Sequence, residues 1–361
     1  MSSDFRRPRL RRTAPLAAVL LVVLAGCGKK GDPMPAPRSI PATVQDLTLR
    51  QRGEQVLLEF AHPTSTVAGL PLAGLDSVSL LELERPAPAE GATVTVVDAE
   101  LAAARPVAEL SGATLSGALV GDRVRIAALL PSPLPEPAVA RVYVVRTRAA
   151  TPKGPGELSG FSNRAILVPR PAPPAPASFD VAAERDGIRL SWSPVEAAAG
   201  GYAVYRRPAV QPDWGAPLVS LDSTVTQWQD IGAKYGQRYI YTVLALAQAE
   251  PPIESAPRSE REVDYQDRFP PATPGGLRAV ALPGEVRLLW EASPDADVTG
   301  YRIERATGDG DFVPLPGAPA TGLEQVDGGL TTGLRYRYRV LAIDSAGNLS
   351  APSAPAEAVL P

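Results

Sequence analysis

Two tryptophans, Trp192 and Trp290, stand 98 residues apart, and the text around them repeats. Tyr202 and Tyr301 are 99 apart; Asp230 and Asp327, Gly236 and Gly333, and Tyr239 and Tyr336 are each 97 apart. Gly236-Gln237-Arg238-Tyr239-Ile240-Tyr241-Thr242-Val243 lines up with Gly333-Leu334-Arg335-Tyr336-Arg337-Tyr338-Arg339-Val340. Solenoid turns repeat every ~20–50 residues, so a period this long is a whole small domain. The second half of the chain is therefore two copies of one compact unit.

Alternation within the repeat gives its architecture. Tyr336, Tyr338, Val340 and Ala342 fall on one face of a strand, and Arg335, Arg337 and Arg339 on the other. One apolar and one polar face per strand suits two antiparallel sheets packed face to face. Trp192 and Trp290 each bring a large apolar side chain to such a core. The 40 prolines and 31 glycines interrupt long helices and punctuate short strands.

These residues resemble the fibronectin type III domain. The resemblance implies an all-β fold of tandem antiparallel β-sandwiches, fibronectin type III or immunoglobulin-like. It implies a core tryptophan on the second strand and Gly201-Tyr202 or Gly300-Tyr301 near the start of the third. Tyr239 and Tyr336 take the tyrosine-corner role, with the hydroxyl returned to the backbone. Residues 171–268 and 269–361 are the two copies. Residues 41–170 read as a divergent third copy, with a different sandwich as the alternative. There Phe60, in Leu57-Leu58-Glu59-Phe60, replaces the tryptophan. Leu81-Glu82-Leu83-Glu84-Arg85 parallels Tyr301-Arg302-Ile303-Glu304-Arg305, and Val142-Tyr143-Val144-Val145 and Ser162-Asn163-Arg164-Ala165-Ile166 read as the last two strands. An insertion at roughly 86–130 is expected to hold a short helix near 97–110. Proline-rich joints at 171–176 and 270–274 are expected to limit swivel and keep the three modules apart.

The start of the chain is of another kind. Residues 1–13 hold five arginines against one acid, and an apolar run, 16–25, follows. As a helix, about ten residues reach only ~15 Å, half a bilayer core, so the run reads as a secretory signal over 1–26 and not as a membrane span. It ends in Leu24-Ala25-Gly26-Cys27, with the chain's one cysteine. This stretch resembles the lipobox of bacterial lipoproteins. The resemblance implies a lipid on Cys27 and a membrane anchor; an ordinary signal peptide is the other reading. Residues 27–40 are a proline-containing spacer. Gly28, not Asp, after the cysteine implies the outer membrane in a host with two membranes. Cys27-Gly28-Lys29-Lys30-Gly31 is also similar to the start of a small outer-membrane lipoprotein that assists assembly of the lipopolysaccharide translocon, with Asp32-Pro33 in place of Pro-Leu.

The whole chain carries a net charge of −3, and the leader takes away five positive charges and one negative. An acidic remainder excludes nucleic acid, whose binding rewards Lys and Arg. The single histidine, His62, lies in the turn Ala61-His62-Pro63 and has no companion for a metal or acid–base site. No nucleophile with a base and no phosphate loop is legible, so no enzyme activity and no cofactor are expected. Three surface features remain. The stripe Arg335, Arg337, Arg339 is a candidate contact for an anionic partner, or a solvated face with weak ion pairs. Trp214 could stack on a sugar or plug its loop. Asp344-Ser345-Ala346-Gly347-Asn348 reads as a hairpin loop. Asp295/Asp297 and Asp309/Asp311 lack the closing glutamate of a calcium loop. The expectation is a non-catalytic lipoprotein of the cell envelope whose modules bind a protein or glycan. The alternative is a periplasm-facing accessory or scaffold for envelope assembly.

Overall fold

The computed structural model describes residues 39–89, 92–152 and 154–361. Cys27, the lipobox residues and most of the spacer lie outside the described residues. What is described is a tandem of antiparallel β-sandwiches.

Module 1 contains β1 (Thr48–Arg52), β2 (Gln55–Ala61), β3 (Leu75–Pro86), β4 (Arg105–Ser111), the helix α1 (Gly112–Ala118), β5 (Leu119–Val120), β6 (Arg123–Leu129), β7 (Val139–Thr151), β8 (Gly154–Leu158) and β9 (Ala165–Leu167). Its two sheets run β1-β2-β6-β5 and β4-β3-β7-β8, with β9 also on β7. Phe60, Leu58, Leu80 and Val145 meet in the core between them. The second sheet is covered on its outer face too. Val96 and Leu101 of the insertion pack on Leu83, Val142 and Val144. That explains why Val142-Tyr143-Val144-Val145 is apolar throughout: a strand buried on both faces has no polar side.

The helix expected near 97–110 is not there. Residues Glu100–Ala103 make a single 3-10 turn, and β4 begins at Arg105. Pro106 lies inside the expected span, lacks an N–H and would break a helix. The helix forms one step later, where the Ser111 N–H donates to Thr114 Oγ1 at 3.0 Å and closes its first turn.

Module 2 contains β10 (Phe179–Glu184), β11 (Gly187–Trp192), β12 (Gly201–Pro208), β13 (Val219–Leu221), β14 (Gln227–Asp230), β15 (Gln237–Gln248), β16 (Ile253–Glu254) and β17 (Arg261–Tyr265). Module 3 contains β18 (Arg278–Leu282), β19 (Glu285–Leu289), β20 (Val298–Thr307), β21 (Val313–Pro314), β22 (Glu324–Gly328), β23 (Arg335–Asp344) and β24 (Ala356–Val359). The repeat is reproduced atom by atom. Trp192 lies 5.5 Å from Tyr202 and Trp290 5.5 Å from Tyr301, centroid to centroid. The Tyr239 and Tyr336 hydroxyls accept the backbone N–H of Lys234 and Thr331 at 3.2 and 3.0 Å. Arg206 and Tyr241 meet at Asp230 as Arg305 and Tyr338 meet at Asp327.

All three modules also share a device in the segment that follows the long strand. A buried serine hydroxyl there accepts a backbone N–H of the long strand beside it. Ser162 and Ser159 serve Val145 and Thr147, Ser255 serves Ala245, and Ser350 and Ser353 serve Ala342 and Val340. Side chains thus keep the long strand's buried donors satisfied where a regular ladder stops.

The first joint does not keep its modules apart. β1 pairs in parallel with β16, so β13-β12-β15-β16-β1-β2-β6-β5, with β17 on β15, is one nine-stranded sheet across modules 1 and 2. The Gln51 N–H donates to Pro252 O at 2.9 Å and the Gly53 N–H to Glu254 O at 3.0 Å. Ile253 is fully buried and belongs to the core of module 1. The Gln51 side chain also holds Arg170, donating to its carbonyl at 2.6 Å and accepting its N–H at 3.2 Å. An edge strand carries unpaired backbone groups that attract another strand. Here β1 supplies that edge, and the hairpin after β15 fills it.

Candidate functional site

The fused sheet creates a cleft. On its module 1 half, register sets the outward side chains in rows: Thr48, Glu59 and Arg125; then Arg50, Leu57 and Ala127; then Arg52, Gln55 and Leu129. The alternation that sends Leu49, Val56 and Leu58 inward sends these out. The 209–218 loop of module 2, between β12 and β13, stands over this floor. Its Trp214 ring packs edge-on to Tyr205 at 6.3 Å, with the Arg207 guanidinium 4.8 Å from its centroid. The Trp214 carbonyl accepts Arg125 Nη1 at 3.5 Å. Floor and loop bound a cavity of about 300 Å³. A second hollow of about 390 Å³ shares Arg125, Pro212, Asp213 and Gly215 with it and extends it past β5.

A buried polar network fixes the floor relative to the wall. Glu254 is 1% exposed. It accepts Arg52 Nε at 2.7 Å and the Tyr205 hydroxyl, and that hydroxyl accepts Arg50 Nη1 at 2.7 Å. A carboxylate so deep in protein is tolerated only with such partners. Burial, then the Glu254 carboxylate, push the Tyr205 phenol well above its ordinary pKa. Burial opposes the charge on Arg50, but Tyr205 and Glu254 outweigh it and hold that pKa above the usual guanidinium value. At the far row Glu59 accepts Arg125 Nε at 2.8 Å and forms an ion pair with Arg123 at 2.6 Å, so its charge is already matched. Among the described residues lining the cleft there is no Ser, Cys or His. An apolar strip, one indole and several guanidinium edges form a surface suited to recognition.

The other candidates lie elsewhere. Arg335, Arg337 and Arg339 project from β23 on one face, but each is engaged. Arg335 pairs with Asp309 and, at 3.8 Å, with Glu357. Arg337 donates to the carbonyls of Gly308 and Gly310 at 2.8 and 2.9 Å. Arg339 pairs with Glu304 at 2.6 Å, and Arg337 and Arg339 both lie over the Phe312 ring. The backbone N–H of His62 donates to the Asp122 carbonyl at 2.8 Å, which fixes its turn. Asp344 accepts the N–H of Ala346 and Asn348 at 2.9 and 2.8 Å, which shapes the last hairpin loop. Asp297 meets Asp267 and Asp344, with carboxylate oxygens within 4.8 Å of one another, at the joint of modules 2 and 3. Asp295 turns to Ala272 N and Arg185, and Asp309 to Arg335.

Of the cleft residues, the sequence singles out Trp214 alone. Arg50, Arg52, Arg125, Tyr205 and Glu254 sit in ordinary alternating strands. The signal that could have found them is Pro251-Pro252-Ile253-Glu254, where a hairpin ends on one apolar residue beside one acid.

No family model matches the chain. Among curated proteins it is similar to exoglucanase B of Cellulomonas fimi, 29% identical over 230 residues, 60% of this chain and 20% of the enzyme. It is 36% identical over 87 residues to an amylopullulanase of Thermoanaerobacterium saccharolyticum, 24% of this chain and 7% of that one. It is 39% identical over 97 residues to an alpha-amylase of Niallia circulans, 26% of this chain and 7% of the enzyme. The chain thus spans a fifth or less of the length of these relatives. Among solved structures, a two-domain fibronectin type III segment of chicken tenascin matches 51% of this chain and 99% of its own, at 14% identity and a TM-score of 0.35. An Fn3-like protein of Clostridium thermocellum matches 26% of this chain and 96% of its own, at 29% identity and a TM-score of 0.23.

Proposed function

We propose that this protein is a non-catalytic glycan-binding protein of the bacterial cell envelope, held to its membrane by lipid on Cys27. The observation that carries the binding role is the cleft under Trp214, built by two modules that share one sheet. A recognition surface gains when its walls need no ordering on binding, and a continuous sheet supplies that order. The relatives are named for the breakdown of glucans, and most of each enzyme has no counterpart here. The short shared stretch supports the reading of a module carried beside a reaction.

Full-length protein in detergent micelles, titrated calorimetrically with a panel of oligosaccharides, tests the binding role. Heat with at least one oligosaccharide is expected, and its loss in Trp214→Ala places the event in the cleft. Proteinase treatment of intact cells tests the setting. Digestion places the modules outside the cell; protection until the outer membrane is ruptured favours the accessory role in envelope assembly.

A further inference from the structure

The cleft's charges say more about its ligand than its shape does. Its floor presents three guanidinium groups, on Arg50, Arg52 and Arg125, and one carboxylate, on Glu59. Glu59 pairs with Arg123 and Arg125, and Arg123 pairs also with Asp46. Glu254 lies behind the floor, closed in by Arg52 and Tyr205. Asp213, on the loop, is the remaining acid along the cleft. Two cations keep unused donors. Arg50 donates through Nη1 to Tyr205, and among the described residues its Nε and Nη2 have no hydrogen-bond partner. Arg125 uses Nε for Glu59 and Nη1 for the Trp214 carbonyl, and its Nη2 has none. The sequence is acidic as a whole, with a net charge of −3. Against that background the groove offers an anion the unspent guanidinium donors of Arg50 and Arg125, although its formal charges are otherwise paired.

Between these cations run Leu57 and Ala127, with Trp214 above. A guanidinium fork fits a carboxylate with two parallel hydrogen bonds. An aliphatic and indole surface fits the C–H face of a sugar ring. The cavity of about 300 Å³ is at the low end of the ~300–1,000 Å³ typical of ligand sites. The adjoining hollow across Arg125 gives the groove a second compartment for a neighbouring residue of a chain. We propose that the cleft binds an acidic oligosaccharide, a polymer of uronic-acid type, with a sugar carboxylate on Arg50 or Arg125 and the sugar ring over Leu57 and Ala127, beside Trp214. This rests on the glycan-binding reading of the same cleft and names the class of glycan.

The test is isothermal titration of full-length protein in detergent micelles with trigalacturonate, cellotriose and inorganic phosphate, each at low and high salt. Trigalacturonate is expected to bind at least tenfold more tightly than cellotriose and to weaken as salt rises. Arg125→Gln and Trp214→Ala are each expected to weaken it at least tenfold. Arg123 stays on Glu59 in the first variant, so an unchanged unfolding temperature shows that the loss is local. Cellotriose binding as tightly, abolished by Trp214→Ala and indifferent to salt, would overturn the acidic class and leave the glycan reading standing. Phosphate binding as tightly as trigalacturonate would reduce the site to a bare anion site. Heat from none of the three overturns this inference; the wider oligosaccharide panel then decides the glycan reading by itself.

Discussion

Arg52 Nε donates to Glu254 Oε2 at 2.7 Å across 202 residues of chain, and the two residues face each other in the parallel pair of β1 and β16. One residue belongs to each module. Removing the carboxylate leaves the Tyr205 hydroxyl without its acceptor and Arg50 and Arg52 without their counter-charge. Breaking a buried pair by removing one partner costs about 3–5 kcal/mol. Glu254→Ala is expected to lose about that much in urea unfolding. The loss should appear in modules 1 and 2 together, because Ile253 is part of the core of module 1. Separate transitions for the two modules, or a loss below about 1 kcal/mol, would mean that the shared sheet is not a cooperative unit.

The two core tryptophans report on different units. Trp192 and Trp290 are each 5% exposed, in the cores of modules 2 and 3. Emptying either site by Trp→Ala is expected to cost about 3–5 kcal/mol. Trp192→Ala should lower the joint transition of modules 1 and 2 and leave module 3 in place, and Trp290→Ala should do the reverse. Calorimetry of the two variants distinguishes these patterns.

What could be read from the chain follows from the range of the interactions. Trp192 and Trp290, and the alternation of Tyr336, Tyr338 and Val340 with Arg335, Arg337 and Arg339, are local patterns, and the sandwich is legible from them. The shared sheet is not, because it depends on a two-residue strand, Ile253–Glu254, meeting Gln51 and Arg52 from the far end of the chain. No window of sequence contains both. The misplaced helix is a failure of another kind. The expected span near 97–110 contains Pro106, which forbids a continuous helix there. The arginine stripe lies on the face its alternation implies. Its partners Phe312 and Asp309 come from the preceding hairpin, and only the folded register shows that they occupy it.

Alkali offers a test of the buried phenols. Burial first, and then Glu82, Glu254, Asp230 and Asp327 respectively, raise the pKa of Tyr143, Tyr205, Tyr241 and Tyr338 above the ordinary 10.0. Above pH 10 the unfolded chain releases these protons and the folded one keeps them. The unfolded state then binds fewer protons, so stability falls as pH rises. Below pH 10 both states are protonated and these groups leave stability unchanged. The expected slope is about −1.4 kcal/mol per pH unit for each tyrosine still protonated in the fold. Absorbance at the tyrosinate band should rise for exposed tyrosines first, and for these four only with unfolding. Full titration near pH 10 with structure intact would show that the four phenols are open to solvent.

The anchor is separable from everything above. Lipid on Cys27 is the sole attachment proposed, and among the described residues no helix is long and apolar enough to cross a membrane. One acyl chain holds a protein to a bilayer only marginally, and two or more hold it stably. Cys27→Ser removes the thiol that would carry the lipid, at a position outside the described residues. That variant is expected to leave the membrane fraction and keep the unfolding temperature and oligosaccharide affinity of the wild type. If Cys27→Ser protein still sediments with membranes, the attachment is made by something other than lipid on this cysteine. If it leaves the membrane but has lost its affinity, the anchor and the cleft are coupled.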